Sequence, residues 1–202
     1  MRPIKQLPPL YYERATLDLS QNKWAAVILN LVGIPLLLGL GWFFVRMAQL
    51  FSPAFRTILA SRNFSLSITS FLLWTVVILG VIVLHELVHG FFLWLFTRER
   101  PVFGYSWYYA YAGAPDWYLP RRPYIVVSLA PLVIITLVGM VLLPFVPATA
   151  VIPLLLAITA NAAGAVGDIL ATIWVLWQPA NILIRDTGTA FTLYRQEENK
   201  PI

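Results

Sequence analysis

Four long apolar runs, separated by polar or aromatic stretches, organise this chain. It begins polar. Residues 1–23 carry Arg2, Lys5, Arg14 and Lys23, Pro8-Pro9 disfavours helix, and Tyr11-Tyr12 suits a membrane interface. This reads as a cytosolic lead-in and not a secretory signal, because the apolar run that follows is too long for a signal core. That run, residues 24–45, has no charge and meets the roughly 20 residues a transmembrane helix needs. Trp24 and Trp42 suit its two interfaces, and Pro35 permits a kink. Residues 47–63 are a short connector, part of it readable as an interfacial helix. The second run, 64–96, is longer than a bilayer requires, so it must tilt or protrude. Thr97-Arg98-Glu99-Arg100-Pro101 stops it.

Residues 102–123 break the pattern. The aromatic, β-prone stretch from Phe103 to Ala112 is followed by the turn Gly113-Ala114-Pro115-Asp116. It reads as a strand pair or re-entrant loop, or alternatively as an interfacial aromatic belt. The third run spans 124–146, with Ser128-Leu129-Ala130-Pro131 in its first turns, and the fourth spans 148–177. On one continuous helix, Asn161 and Asp168 are seven apart and share a face. Residues 178–202 form a polar, cytosolic tail in which 181–188 is readable as a strand and turn. The pattern predicts an all-α transmembrane fold: one membrane-embedded domain over residues 1–202, built as a four-helix bundle. A small membrane-associated β-hairpin or re-entrant loop joins the second and third spans.

Composition supports a membrane protein. The chain is 59% hydrophobic and 11% charged, against about a quarter charged in an average soluble domain. Its mean hydropathy is +0.76. The net charge of +5 does not point to nucleic acid, because basic residues in a membrane protein report topology and lipid head groups. Eleven of the 14 Lys and Arg fall in the lead-in, the loop after the second span and the tail. Arg46, Arg56 and Arg62 take the other side, so both termini are expected in the cytosol. Cysteine is absent, which excludes disulfides and thiolate metal sites.

Of the nine acidic residues, Glu86 and Asp168 alone fall inside apolar runs, and both histidines lie beside Glu86 in His85-Glu86-Leu87-Val88-His89. An ionisable group is costly there and calls for a function or a partner. H-E-x-x-H on a helix puts the imidazoles one turn apart on one face, where both can reach a single zinc ion. His85, His89 and Asp168 then read as the metal ligands, one zinc per chain, with a fourth position for water. Glu86 reads as the general base that takes the proton of that water and passes it to the leaving amine. Asn161 is a candidate donor to the oxyanion or to the substrate backbone. Alternatively, Asp168 caps a helix break or pairs with an arginine, and Asn161 joins helices. No basic residue lies in the runs, which favours Asp168 as a ligand. Ser128 has no third histidine to activate it, so serine catalysis is unsupported.

At these residues the chain resembles the small bacterial membrane proteins described as putative zincin peptidases, and more distantly the intramembrane metalloproteases of the site-2 protease type. His-Glu-Leu-Val-His-Gly at 85–90 carries the resemblance, with Asn161, Gly167-Asp168, the Ser-Leu-Ala-Pro run and Asp186-Thr187-Gly188. It covers most of the chain from the second span onward. It implies zinc, cleavage of membrane-anchored protein substrates, a membrane-associated β-element near the site, and residence in a bacterial inner membrane. Site-2 proteases carry Asn-x-x-Pro and then Leu-Asp-Gly. Here Gly164 stands at the proline position, the aspartate follows Asn161 by seven, and Ile169 follows Asp168. No loop is long enough for a PDZ domain.

Three functions compete. The first is a zinc-dependent intramembrane endopeptidase. The second is a catalytically inactive membrane protein with a structural or sensing zinc site, which would call for a fourth protein ligand. The third is a small ion or metal transporter, which would call for more polar residues along several spans. A His-rich di-iron oxygenase is excluded by the count of two histidines.

Overall fold

The computed structural model describes residues 2–18, 23–61, 67–106 and 109–197. Residues 19–22, Arg62 and Asn63, the expected start of the second run at Phe64, Trp107-Tyr108 and the end of the tail lie outside the described residues.

Six helices are present among the described residues: α1 (Lys23–Phe51), α2 (Pro53–Ser61), α3 (Ile68–Thr97), α4 (Arg121–Leu142), α5 (Ala148–Gly164) and α6 (Val166–Leu176). Four segments are long and apolar enough to cross a membrane: Val27–Phe51, Ile68–Thr97, Arg121–Leu142 and Ala148–Leu176. α1 runs past Arg46, where the sequence ends its first span, because a charge ends an apolar run without ending a helix. Arg46 instead donates to Gln49 one turn on, at 3.0 Å. Ser52 then starts α2 by accepting the Phe55 N–H at 3.2 Å, an N-cap bond. Ser67 does the same for α3 through Ser70, at 3.1 Å.

The fourth span is not one helix. α5 ends at Gly164, the capping Ala165 N–H still bonds the Asn161 carbonyl, and α6 restarts at Val166. Asn161 and Asp168 therefore do not share one helical face. Asp168 lies in the first turn of α6, where the helix dipole favours a carboxylate. At the other end of α6, Arg121 donates to the Leu176 carbonyl at 2.5 Å, a cation on an orphan helix terminus.

The β content exceeds the expected hairpin. That hairpin exists, as β2 (Val102–Ser106) paired antiparallel with β3 (Tyr109–Gly113). There is also a four-stranded antiparallel sheet in the order β1-β6-β5-β4. It joins β1 (Tyr11–Asp18), β4 (Tyr118–Pro120), β5 (Leu183–Asp186) and β6 (Ala190–Gln196). Segments read as lead-in and tail are thus paired strands, so the fold is not all-α. β1 and β6 are joined with an irregularity between Glu13 and Ala15, where Arg14 is the extra residue. Backbone bonds in both directions between Ile4 and Tyr118 cover the outer side of β4.

The chain forms two compact units. One comprises residues 1–28, 86–130 and 167–202, and holds the sheet and the hairpin. Its core includes Leu93, Leu119, Tyr124, Val175, Ile184 and Leu193. Leu119, Ile184 and Leu193 lie on paired strands with their side chains turned into that core, and burial of each contributes about 1.5–3 kcal/mol. The other unit comprises residues 29–85 and 131–166. Phe44, Phe55, Leu143, Val151 and Ile158 are in its core. Gly139 admits Ile158 there, since a Cβ at 139 would stand 2.2 Å from that side chain.

Candidate metal centre

Val81–Gly90 is an unbroken stretch of α3, and His85 and His89 lie one turn apart along it, both buried. Glu86, between them, is half-buried. Each imidazole is held from behind. His89 Nδ1 lies 2.9 Å from the Val127 carbonyl on α4. A carbonyl only accepts, so Nδ1 carries a proton, and Nε2 is the nitrogen turned towards Asp168. His85 Nδ1 lies 3.0 Å from Asn161 Oδ1. The amide of Asn161 is oriented by its own nitrogen, which donates to the Pro131 carbonyl at 3.3 Å. That orientation leaves Oδ1 for His85, so His85 also carries its proton on Nδ1. Carbonyl partners behind metal-ligating histidines fix tautomer and ring direction in this way.

Asp168 Oδ1 lies 3.4 Å from His89 Nε2. Its turn is pinned by Ser128, whose hydroxyl donates to the Asp168 carbonyl at 3.0 Å and accepts from Thr172 at 3.1 Å. The Ser128 hydroxyl is thus engaged with backbone and threonine. One ligand atom from each of His85, His89 and Asp168 lies within 4.8 Å of the other two. Two atoms bound about 2.05 Å from a tetrahedral ion stand about 3.3 Å apart, so the spacing of Nε2 and Oδ1 fits zinc. The donor set of two neutral imidazoles and a carboxylate is also that of open zinc sites.

The sequence-based candidates therefore fall into two groups. His85, His89 and Asp168 present ligand atoms together, with Glu86 on the same helix as the histidines. Asn161 sits behind His85, with its amide oxygen on Nδ1 and its amide nitrogen on a backbone carbonyl.

Sequence reasoning did not assign a third carboxyl to the site. Asp186 ends β5 and accepts the Gly188 N–H at 2.8 Å within the β5–β6 turn. Its carboxyl lies within electrostatic range of His89, Asp168 and Glu86. Burial pushes it up to about 6; the Gly188 bond opposes the rise and the two carboxylates add to it. The only sequence signal was the turn motif Asp-Thr-Gly. The hairpin also reaches the helix of the histidines. The Phe103 ring of β2 packs so closely on Gly90 that a Cβ there would stand 2.3 Å from it. Glycine after His89 leaves room for that ring.

Residues 78–183 match the family described as putative zincin peptidase, a stretch that holds His85, Glu86, His89, Asn161 and Asp168. No curated protein and no solved structure matches the chain.

Proposed function

This chain belongs to the putative zincin peptidase family, and from that premise we propose that it is a zinc-dependent endopeptidase working within the membrane, of the site-2 protease kind. The observation that carries the proposal is the joint placement of His85, His89 and Asp168, on helices apolar enough to cross a bilayer. Bound there by these three residues, zinc supplies a Lewis acid that acidifies water and polarises a carbonyl.

The chain's own residues do the rest. His85 and His89 present Nε2 lone pairs because Asn161 and Val127 hold their Nδ1 protons. Glu86 accepts a proton from the attacking water as the C–O bond forms at the scissile carbonyl. It returns that proton to the amine nitrogen as the C–N bond breaks. Asn161 acts through His85 as a positioning residue. Apolar surroundings exclude bulk water and strengthen each of these interactions.

The substrate is a membrane-anchored protein whose cleaved segment is extended. Among the described residues the β2–β3 sheet is two-stranded, with an outer edge on each strand, and Phe103 of β2 touches the helix of the histidines at Gly90. Strand addition to such an edge exposes the substrate backbone for cutting. The chain has no cysteine and no third histidine, which disfavours a closed, four-ligand structural zinc.

The test compares membranes from cells producing the wild type with membranes from cells producing Glu86→Gln. New N-termini inside or beside the spans of other membrane proteins should appear with the wild type only, while both proteins hold about one zinc. Cleavage retained by Glu86→Gln would overturn the mechanism.

A further inference from the structure

Pro131 lies inside α4. Proline has no N–H, so the carbonyl four residues earlier receives no helical bond, and the ring pushes that carbonyl off the helix axis. The carbonyl concerned is that of Val127, the group on which His89 Nδ1 rests at 2.9 Å. His89 and Val127 are both buried, which keeps water from substituting for either partner.

Resting on the metal-site reading above, we propose that Pro131 is a positioning residue for His89. By withholding an N–H from Val127, it turns that carbonyl outward and reserves it for Nδ1, which keeps Nε2 turned towards Asp168. The Pro131 carbonyl serves the other imidazole: it accepts from Asn161, whose oxygen then meets His85. Any residue at 131 has that carbonyl; only proline lacks the N–H. The two imidazoles therefore depend on position 131 in different ways. His89 needs the proline, and His85 needs only the backbone oxygen. This assigns a role to the Ser-Leu-Ala-Pro run: Ser128 pins the turn of Asp168, and Pro131 frees the acceptor for His89.

The experiment uses the full chain in detergent micelles with ¹⁵N-labelled histidine, first free of metal and then titrated with zinc against a chelator. Pro131→Ala restores the N–H. The expected result is a shift of the His89 Nδ1–H signal, which reports the bond to Val127, with unchanged His85 signals and zinc binding about 10-fold weaker. Pro153→Ala, which alters a proline inside α5, controls for helix rigidity and should change neither. Replacing Pro131 with lactic acid, which has an alanine side chain but no N–H, should restore the wild-type His89 signals and zinc binding. Identical His89 signals in wild type and Pro131→Ala would overturn the proposal. If Pro131→Ala does not fold, the lactic acid variant decides: disturbed His89 signals despite the missing N–H would overturn it equally. A wild type that binds no zinc, with the Nδ1–H shift still seen in Pro131→Ala, would sink the metal reading and leave the role of Pro131 standing.

Discussion

Asn161 holds its amide oxygen 3.0 Å from His85 Nδ1, in a position where both groups are buried. Removing the amide leaves a buried N–H without its acceptor, which costs about 1–3 kcal/mol. Asn161→Ala should therefore weaken zinc binding roughly 10- to 100-fold, the usual effect of losing an outer partner of a ligating histidine. Zinc affinity and turnover measured together test this. Normal affinity with depressed turnover would instead make Asn161 the oxyanion donor that its sequence position first suggested.

His85→Ala, His89→Ala and Asp168→Ala should each abolish or strongly reduce the zinc content of purified protein. Metal analysis beside the wild type gives the answer. Loss with both histidines but not with Asp168 would place the third ligand elsewhere, with Asp186 the first residue to examine.

The carboxyl of Asp186, pushed by burial to about 6 from an ordinary 3.8, makes stability depend on pH. The unfolded group ionises near pH 4 and the folded one near pH 6. Between those values the folded state binds more protons, so its stability falls as pH rises. The loss is absent below pH 4 and complete above pH 6, at most about 3 kcal/mol. Asp186→Asn keeps an acceptor for the Gly188 N–H. In metal-free protein it should melt like the wild type near pH 4 and at a higher temperature near pH 7. A shift of the same size at both pH values would remove the carboxyl as the cause.

Gly113 ends β3 where a Cβ would stand 2.6 Å from the Thr187 carbonyl carbon. Backbone cannot rotate away as a side chain can. Gly113→Ala should cost roughly 1–3 kcal/mol. Gly80→Ala, with nothing within 4 Å of the added methyl, should instead stabilise α3 by up to about 1 kcal/mol. Thermal melts of the two variants should therefore move in opposite directions.

The four apolar runs and the H-E-x-x-H were legible along the chain because hydropathy and one-turn spacing are local properties. Asp168 stood out for the same reason, as one of only two acids in an apolar setting. The aromatic hairpin was legible from its β-prone residues and the glycine turn. The four-stranded sheet was not. It pairs Tyr11 with Gln196 and Tyr118 with Arg185, and nothing in a short polar stretch tells which distant stretch it will meet. The break at Ala165 was hidden as well, since hydropathy continues across it unchanged.

The roles of Asn161, Val127 and Asp186 were likewise decided by tertiary structure, because each depends on which atom faces a histidine across the fold. Sequence by itself determined which groups lie in apolar runs: two imidazoles, a carboxyl between them and a second carboxyl in the fourth run. Only the tertiary structure decided that Asn161 meets Nδ1 of His85 and Val127 meets Nδ1 of His89, since a ring nitrogen's proton is set by its hydrogen-bond partner and not by its place in the chain.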